Sequence, residues 1–365
     1  MSSIELVGLT KRFGDLIAVK DLDLMIEDKE FVAILGPSGC GKTTTMNMIA
    51  GIEHPTAGQV LFDGVEVQNV SARRRGVGFV FQNYAIFTHI SVYKNLSFGL
   101  EVTGVPAGEI ERRVADMAKL VRLTHRLEWR SSRLNVNELQ RLALGRSAIL
   151  GPQIFLLDEP LSNLDAAFRA EMRTELKHLQ HQLQQTMVYV THDQLEAMSM
   201  ADHIAIMDLG VLQQFGTPLE VYNKPTNLFV ANFMGSPSMN LLPCRITDEG
   251  GEVVLDFGAG GRLMVEDETL LALCKKAARQ DLVYGVRPEN VTLRRGEKEG
   301  RGLSLGVNFV ERIGARSIVH LGETDHEIKV LEGNQSPTKV GETLDAVAHA
   351  GASHLFDAQT GVAIR

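Results

Sequence analysis

No stretch of this 365-residue chain approaches the ~18 uninterrupted apolar residues of a membrane-spanning helix, so no helical span is expected. The opening MSSIELVGLTKRFG lacks the apolar core of a secretory signal, and none is expected. Only three cysteines occur, Cys40, Cys244 and Cys274. Their spacing suits neither a metal site nor a disulfide framework, which fits a reducing cytosol. Excess positive charge is also missing: 37 Lys and Arg against 45 Asp and Glu leave a net charge of −8. That balance argues against nucleic acid as a partner. Low-complexity segments are absent too. What remains is a chain with 44% hydrophobic and 22% charged residues, long enough for two packed domains. Any membrane contact is therefore expected to go through a protein partner.

The apolar runs place the strands. Residues 3–35 read as short alternating strands that end in Phe31-Val32-Ala33-Ile34-Leu35, and a glycine-rich turn and a helix over 42–50 follow. Apolar runs at 154–157, 188–190 and 204–207 read as buried parallel strands, with helical patterns at 107–121, 137–150 and 166–184 between them. Alternation of this kind predicts an α/β domain on a mainly parallel sheet. From about Pro243 short β-like pieces separated by glycines predict a small all-β domain, with a linker near Gly235-Ser236-Pro237-Ser238.

Gly36-Pro37-Ser38-Gly39-Cys40-Gly41-Lys42-Thr43 fits the phosphate-loop pattern GxxxxGK[ST] in full, after an apolar strand and before a helix. Glycines let successive backbone N–H groups face one anion, the helix start adds partial positive charge, Lys42 can reach the β/γ-phosphates and the Thr43 hydroxyl can ligate Mg²⁺. This pattern predicts a nucleotide as ligand. Asp158-Glu159 ends the second apolar strand with two carboxylates, one suited to the Mg²⁺ shell and the other to orienting or deprotonating water. His192 follows a third strand, on the edge where α/β ligands bind, and suits a γ-phosphate contact. Arg73-Arg74-Arg75 reads as a solvated turn, and Cys40 equally as a reactive thiol or a small buried one.

Taken in order, the phosphate loop, Gln82 in Val80-Phe81-Gln82-Asn83-Tyr84, Asp158-Glu159-Pro160, Leu161-Ser162-Asn163-Leu164-Asp165 and Thr191-His192-Asp193 resemble the ATPase subunits of ABC transporters. The resemblance implies a P-loop α/β domain over 1–235 with a helical subdomain at about 88–150. It further implies that Gly36, Pro37, Ser38, Gly39, Cys40, Gly41, Lys42, Thr43 and Thr44 contact nucleotide, and that Phe13 stacks on adenine. Gln82 joins Thr43 and Asp158 around Mg²⁺, with Glu159 and His192 as the catalytic pair. Tyr284-Gly285-Val286-Arg287-Pro288-Glu289 and the stretch 221–240 are similar to importer ATPases of the maltose and glycerol-phosphate type, implying an OB-like C-terminal domain over 236–365 for dimerisation or regulation. Partners so implied are two integral membrane permease subunits, docking near 82–99, and indirectly an extracytoplasmic solute-binding protein. The implied location is the cytoplasmic face of the inner or plasma membrane. Sugar, polyol, glycerol or glycerol phosphate is the implied solute class, although polyamine and inorganic-anion importers use similar subunits. Exporters and soluble ABC proteins of repair or translation fit less well: exporters generally lack such a C-terminal domain, and the soluble proteins usually carry two nucleotide domains or long coiled-coil insertions, neither of which this sequence shows.

One segment departs from the family. Where the signature Leu-Ser-Gly-Gly-Gln belongs, the chain reads Leu134-Asn135-Val136-Asn137-Glu138, although Gln140-Arg141-Leu142 continue as in the family. Side chains at both glycine positions block close backbone approach to a phosphate, and Glu138 repels it by about 1–4 kcal/mol at ~4 Å. Because the family's signature acts on ATP held by the opposite subunit, a second and different ATPase chain with an intact signature is expected. The remaining readings are a homodimer of low turnover and an ATP-binding regulatory subunit of weak hydrolysis.

Overall fold

In the computed structural model, residues 3–277, 281–295, 301–323 and 326–365 are described. The chain divides into two compact units, Met1–Pro218 and Leu219–Arg365.

In chain order the first unit begins with β1 (Ile4–Phe13), β2 (Leu16–Ile26), β3 (Phe31–Leu35) and α1 (Lys42–Ala50). Next come β4 (Ala57–Phe62), β5 (Val65–Glu66), β6 (Val77–Val80), α2 (Val92–Val102), α3 (Ala107–Leu120) and α4 (Val136–Ala148). It closes with β7 (Ile154–Asp158), α5 (Ala166–Leu183), β8 (Thr186–Thr191), α6 (Gln194–Met200), β9 (His203–Asp208) and β10 (Val211–Gly216). One antiparallel sheet has the order β2-β1-β4-β5, the other the order β10-β9-β3-β8-β7-β6. In the second sheet β9, β3, β8, β7 and β6 run parallel and only β10 is antiparallel. Every residue of β3 and β8 is buried, because helices cover both faces of the sheet; that is why these strands read as unbroken apolar runs. On one side α1 packs among Met46, Ile49, Ile34 and Val190; on the other, helices α2 to α5 contribute Leu96, Val114, Leu142 and Leu176.

Two expectations change. Residues 3–26 form two long paired strands rather than several short ones, since bulges absorb the irregular alternation in β1. Of the arginine run, Arg75 is buried and does not belong to a solvated turn. Its Nη1 donates to the carbonyls of Met48 and Ile49 at 2.7 and 2.8 Å, closing the open carboxyl end of α1. Arg73 and Arg74 remain exposed.

The second unit holds the rest of α7 (Pro218–Asn223), then α8 (Leu228–Phe233), β11 (Asn240–Glu249), β12 (Glu252–Asp256) and β13 (Arg262–Met264). They are followed by α9 (Glu268–Lys276), β14 (Asp281–Val286), β15 (Val291–Arg294), β16 (Leu303–Ile313), β17 (Arg316–Leu321), β18 (Ile328–Gly333), β19 (Thr343–Ala348) and β20 (Ser353–Asp357). Two antiparallel sheets, β13-β12-β11-β14-β20 and β15-β19-β16-β17-β18, enclose one core built from Leu255, Tyr284, Val319, Val330 and Leu355. The sheets match the expected β domain, although α9 interrupts it. The compact units part at 218/219, whereas the sequence places the junction at 235/236.

Arg287 explains that shift. It is 1% exposed; its Nη2 donates to the Tyr222 carbonyl at 2.7 Å, and its Nη1 to the carbonyls of Ala231 and Met234. The guanidinium also lies 4.0 Å from the Tyr222 ring centre. One buried cation thus closes the carboxyl ends of both α7 and α8 and ties them to the β domain. Arg287→Ala is expected to destabilise this unit by about 3–5 kcal/mol, read as a lowered midpoint in denaturant unfolding. Burial, with Arg287 and Arg365 nearby, pushes the His354 imidazole down to about 4. Between pH 6.5 and 4 the unfolded chain then binds the proton that the folded one refuses, so stability rises with pH across that window. Acidification through it should remove roughly 2–3 kcal/mol, and His354→Gln should flatten the pH profile of the unfolding midpoint.

Candidate nucleotide and catalytic site

The phosphate loop joins β3 to α1. A Cβ at Gly36 would stand 2.2 Å from the Met207 carbonyl oxygen, and at Gly41, whose φ is +101°, 2.5 Å from that of Ala18. Only glycine fits the chain this close to its neighbours. The resulting turn aims the first N–H groups of α1 at one point. Lys42 is 6% exposed, and its ammonium donates to the carbonyls of Gly36 and Pro37 at 2.8 Å each. Phe13, Leu16, Ala18, Ser38, Gly39, Gly41, Lys42, Thr43, Thr44 and Glu159 line a cavity of about 350 Å³ at this loop. Phe13 lies at its rim, half exposed at the end of β1, with the Lys11 ammonium 4.8 Å from its ring centre. Cys40 is buried, and burial pushes its thiol up despite Lys42 nearby. The buried reading of this cysteine is therefore the one the fold supports, and its side chain packs into the core beside Val19 and Met46.

Strand order assembles the rest. Because β3, β8, β7 and β6 are adjacent and parallel, the segments after them leave one edge of the sheet side by side. They carry the phosphate loop, His192, Asp158-Glu159 and Gln82. Thr43 Oγ1 lies 3.3 Å from Asp158 Oδ1. Burial and the Glu159 charge push the Asp158 carboxyl up, against Thr43 and Lys42. Glu159 takes a left-handed backbone (φ +44°), held by its N–H on the Val190 carbonyl at 3.0 Å, and the turn sends its side chain across the sheet edge. His192 Nδ1 lies 3.2 Å from Glu159 Oε1, and Gln82 Nε2 lies 3.5 Å from Glu159 Oε2. Asn163 donates to the Gln82 carbonyl at 3.3 Å, joining the following loop to the same cluster. Sequence reasoning did not single out Leu16 or Ala18, and named Asn163 only as part of the 161–165 segment. The hairpin turn after Phe13 is what brings the first two to the cavity. The hydroxyl of Thr43, the carboxylate of Asp158 and the amide oxygen of Gln82 are hard donors that fit Mg²⁺.

The altered signature has a structure of its own. Asn135 caps α4: its Oδ1 accepts the Glu138 N–H at 2.9 Å, and Glu138 Oε2 accepts the Asn135 N–H at 3.0 Å, a complete capping box. Arg126 Nε donates to Glu138 Oε1 at 2.9 Å while its guanidinium lies 3.7 Å from the Trp129 ring centre. Burial opposes ionisation of Glu138, but the Asn135 N–H and Arg126 outweigh it and hold the carboxyl below its ordinary range. The amino end of α4 is thus already capped by its own carboxylate, itself paired with Arg126, and Val136 projects 45% exposed beside it.

Comparison with known proteins gives this geometry its context. A family profile described as "ABC transporter" matches residues 19–162, and one described as "MalK OB fold domain" matches residues 235–291. The trehalose/maltose import ATP-binding protein MalK of Thermococcus litoralis is 41% identical over 100% of both chains. The sn-glycerol-3-phosphate import ATP-binding protein UgpC of Cereibacter sphaeroides is 40% identical over 99% of each. XacJ and XacK of Haloferax volcanii, both xylose/arabinose import ATP-binding proteins, are 41% and 40% identical over the whole of this chain and 96% of theirs. Among solved structures, CbiO1 of Clostridium perfringens superposes with a TM-score of 0.56 at 29% identity, covering 60% of this chain and 89% of that one. With its fold, phosphate loop and full-length relatives in agreement, the chain belongs to the ATP-binding proteins of ABC transporters, in the importer branch whose ATPase domain is followed by a MalK-type OB-fold domain.

Proposed function

We propose that this chain hydrolyses ATP to energise uptake of a sugar, a polyol, glycerol or glycerol phosphate, as one half of an unequal ATPase pair. The observation that carries the catalytic reading is the Glu159 carboxylate, held between Gln82 and His192 on the sheet edge that also bears the Lys42 loop. Phe13 stacks on adenine, the loop from Gly36 to Thr44 cradles the phosphates, and Lys42 leaves its carbonyls for the β/γ-phosphates. Thr43, Asp158 and Gln82 would hold Mg²⁺, which would supply positive charge beside the phosphates. Glu159 orients and deprotonates the attacking water, and His192 exchanges Glu159 for the γ-phosphate.

The capping box supports the asymmetry. The α4 amino end that would meet the opposite subunit's γ-phosphate is occupied by its own Glu138, so this chain is the poorer half of the other site. Its own ATP then faces a partner chain with Leu-Ser-Gly-Gly-Gln intact. Two ATP-binding proteins of one organism carry the same xylose/arabinose import name, which agrees with an importer built on two such chains. Among the described residues no helix is long and apolar enough to cross a membrane. In the proposed assembly two permease subunits hold the pair at the cytoplasmic face. Cells carrying Lys42→Ala test the solute class. Uptake of one labelled sugar, polyol or glycerol compound should fall to background, whereas undiminished uptake of all of them would contradict the reading.

A further inference from the structure

We propose that Glu196 is a positioning residue for ATP hydrolysis, its buried carboxyl fixing the end of β8 and through it the aim of His192. This rests on the reading that His192 acts at the γ-phosphate.

Glu196 lies in the first turn of α6 and is 3% exposed. A carboxyl taken from water is costly unless its oxygens find donors. Here one oxygen, Oε2, accepts from two hydroxyls: Tyr189 Oη at 2.8 Å and Thr191 Oγ1 at 2.6 Å. Both donors are in the last turn of strand before His192, and both are buried. Thr191 Oγ1 passes the restraint on, because it accepts the Asp193 N–H at 2.9 Å. Residues 191 and 193 are therefore pinned on either side of residue 192 by a chain of bonds that starts at Glu196. Asp193 adds a second tether. Its Oδ1 caps α6 through the Leu195 N–H at 2.8 Å, and its Oδ2 lies 3.6 Å from Arg169 Nη1. Arg169 Nε in turn donates to the Leu164 carbonyl at 2.8 Å, in the loop that follows Glu159.

His192 itself is different. Its side chain is 55% exposed and meets Glu159 Oε1 at 3.2 Å. A half-exposed imidazole that must reach a phosphate depends on its backbone for direction. A ring displaced by about 1 Å loses on the order of 10²-fold in rate while ground-state binding is little changed. Because both hydroxyls converge on one oxygen, an amide oxygen in its place can accept both bonds, while a methyl group accepts neither and leaves two buried hydroxyls unpaired.

Steady-state ATPase assays on the assembled transporter, with thermal unfolding and nucleotide binding in parallel, test this with Glu196→Gln, Glu196→Ala, Thr191→Val and His192→Ala. Thr191→Val is nearly isosteric and carries the test even if Glu196→Ala fails to fold. Expected are a fall in kcat of about 10–100-fold for Glu196→Ala and Thr191→Val with KM for ATP within twofold, and recovery of most of kcat in Glu196→Gln. Unchanged kcat in Thr191→Val beside a strong loss in His192→Ala overturns the positioning role and leaves the His192 reading standing. Unchanged kcat in His192→Ala overturns both. Parallel loss of kcat, nucleotide binding and unfolding temperature in Thr191→Val, or a Glu196→Gln as slow as Glu196→Ala, also overturns the proposal.

Discussion

Glu159→Gln should bind ATP as the parent does and turn it over about 10²–10⁴-fold more slowly. Glutamine keeps the length and one oxygen of the side chain, so Gln82 and His192 retain a partner at 3.5 and 3.2 Å. What it loses is the capacity to take a proton from water. The phosphate loop, Asp158 and Phe13 are untouched, and nucleotide affinity should therefore hold within a few fold. Single-turnover hydrolysis beside equilibrium binding of a fluorescent ATP analogue separates the two quantities. Turnover within threefold of the parent would remove Glu159 from the chemistry and favour the other reading, an ATP-binding regulatory subunit of weak hydrolysis.

Rebuilding the signature as Asn135→Ser, Val136→Gly, Asn137→Gly and Glu138→Gln should do the reverse. In preparations of this chain alone, where both sites carry the altered segment, ATPase activity should rise at least tenfold. The reason is that an oxyanion-type donor contributes about 10²–10³-fold and a nearby carboxylate opposes phosphate by about 1–4 kcal/mol. The same change should lower stability. A serine at 135 and a glutamine at 138 can still form a capping box, so the loss comes from the Arg126–Glu138 contact and from glycines in the first turn of α4, at up to ~1 kcal/mol each. Faster hydrolysis with a lower unfolding temperature is thus the expected pair of results. An unchanged rate with intact ATP binding would mean that the Glu138 carboxylate does not limit the site.

Much of this was written locally in the chain. β3, β7 and β8 are short apolar runs followed at once by Gly36, Asp158-Glu159 and His192, so strand, turn and functional group are read together. The phosphate loop is legible because its glycines answer to steric demands within a few residues. The capping box was also legible, since Asn135 and Glu138 stand at the spacing such a box requires, but the segment reads first as a motif lost. Three charged residues that the fold buries were not legible. Arg75 looks like part of a solvated run, and only the distant carbonyls of Met48 and Ile49 make it an interior cap. Arg287 is tied to Tyr222, Ala231 and Met234 across more than fifty residues, which is why the second unit takes in 219–235. Glu196 looks like any helix-surface acid until β8 places Tyr189 and Thr191 against it. α2 escaped notice because its polar Lys94 and Asn95 break the apolar pattern, and Asn95 is buried by bonds to the Phe87 carbonyl and Ser131.

Subunit composition tests the central claim most directly. The complex drawn from native membranes in mild detergent by a tag on this chain, weighed intact by native mass spectrometry, should contain one copy of this chain, one different ATPase chain and two membrane subunits. Two copies of this chain with no other ATPase would contradict the unequal pair, and a tagged chain recovered intact without any membrane subunit would contradict its role in a transporter.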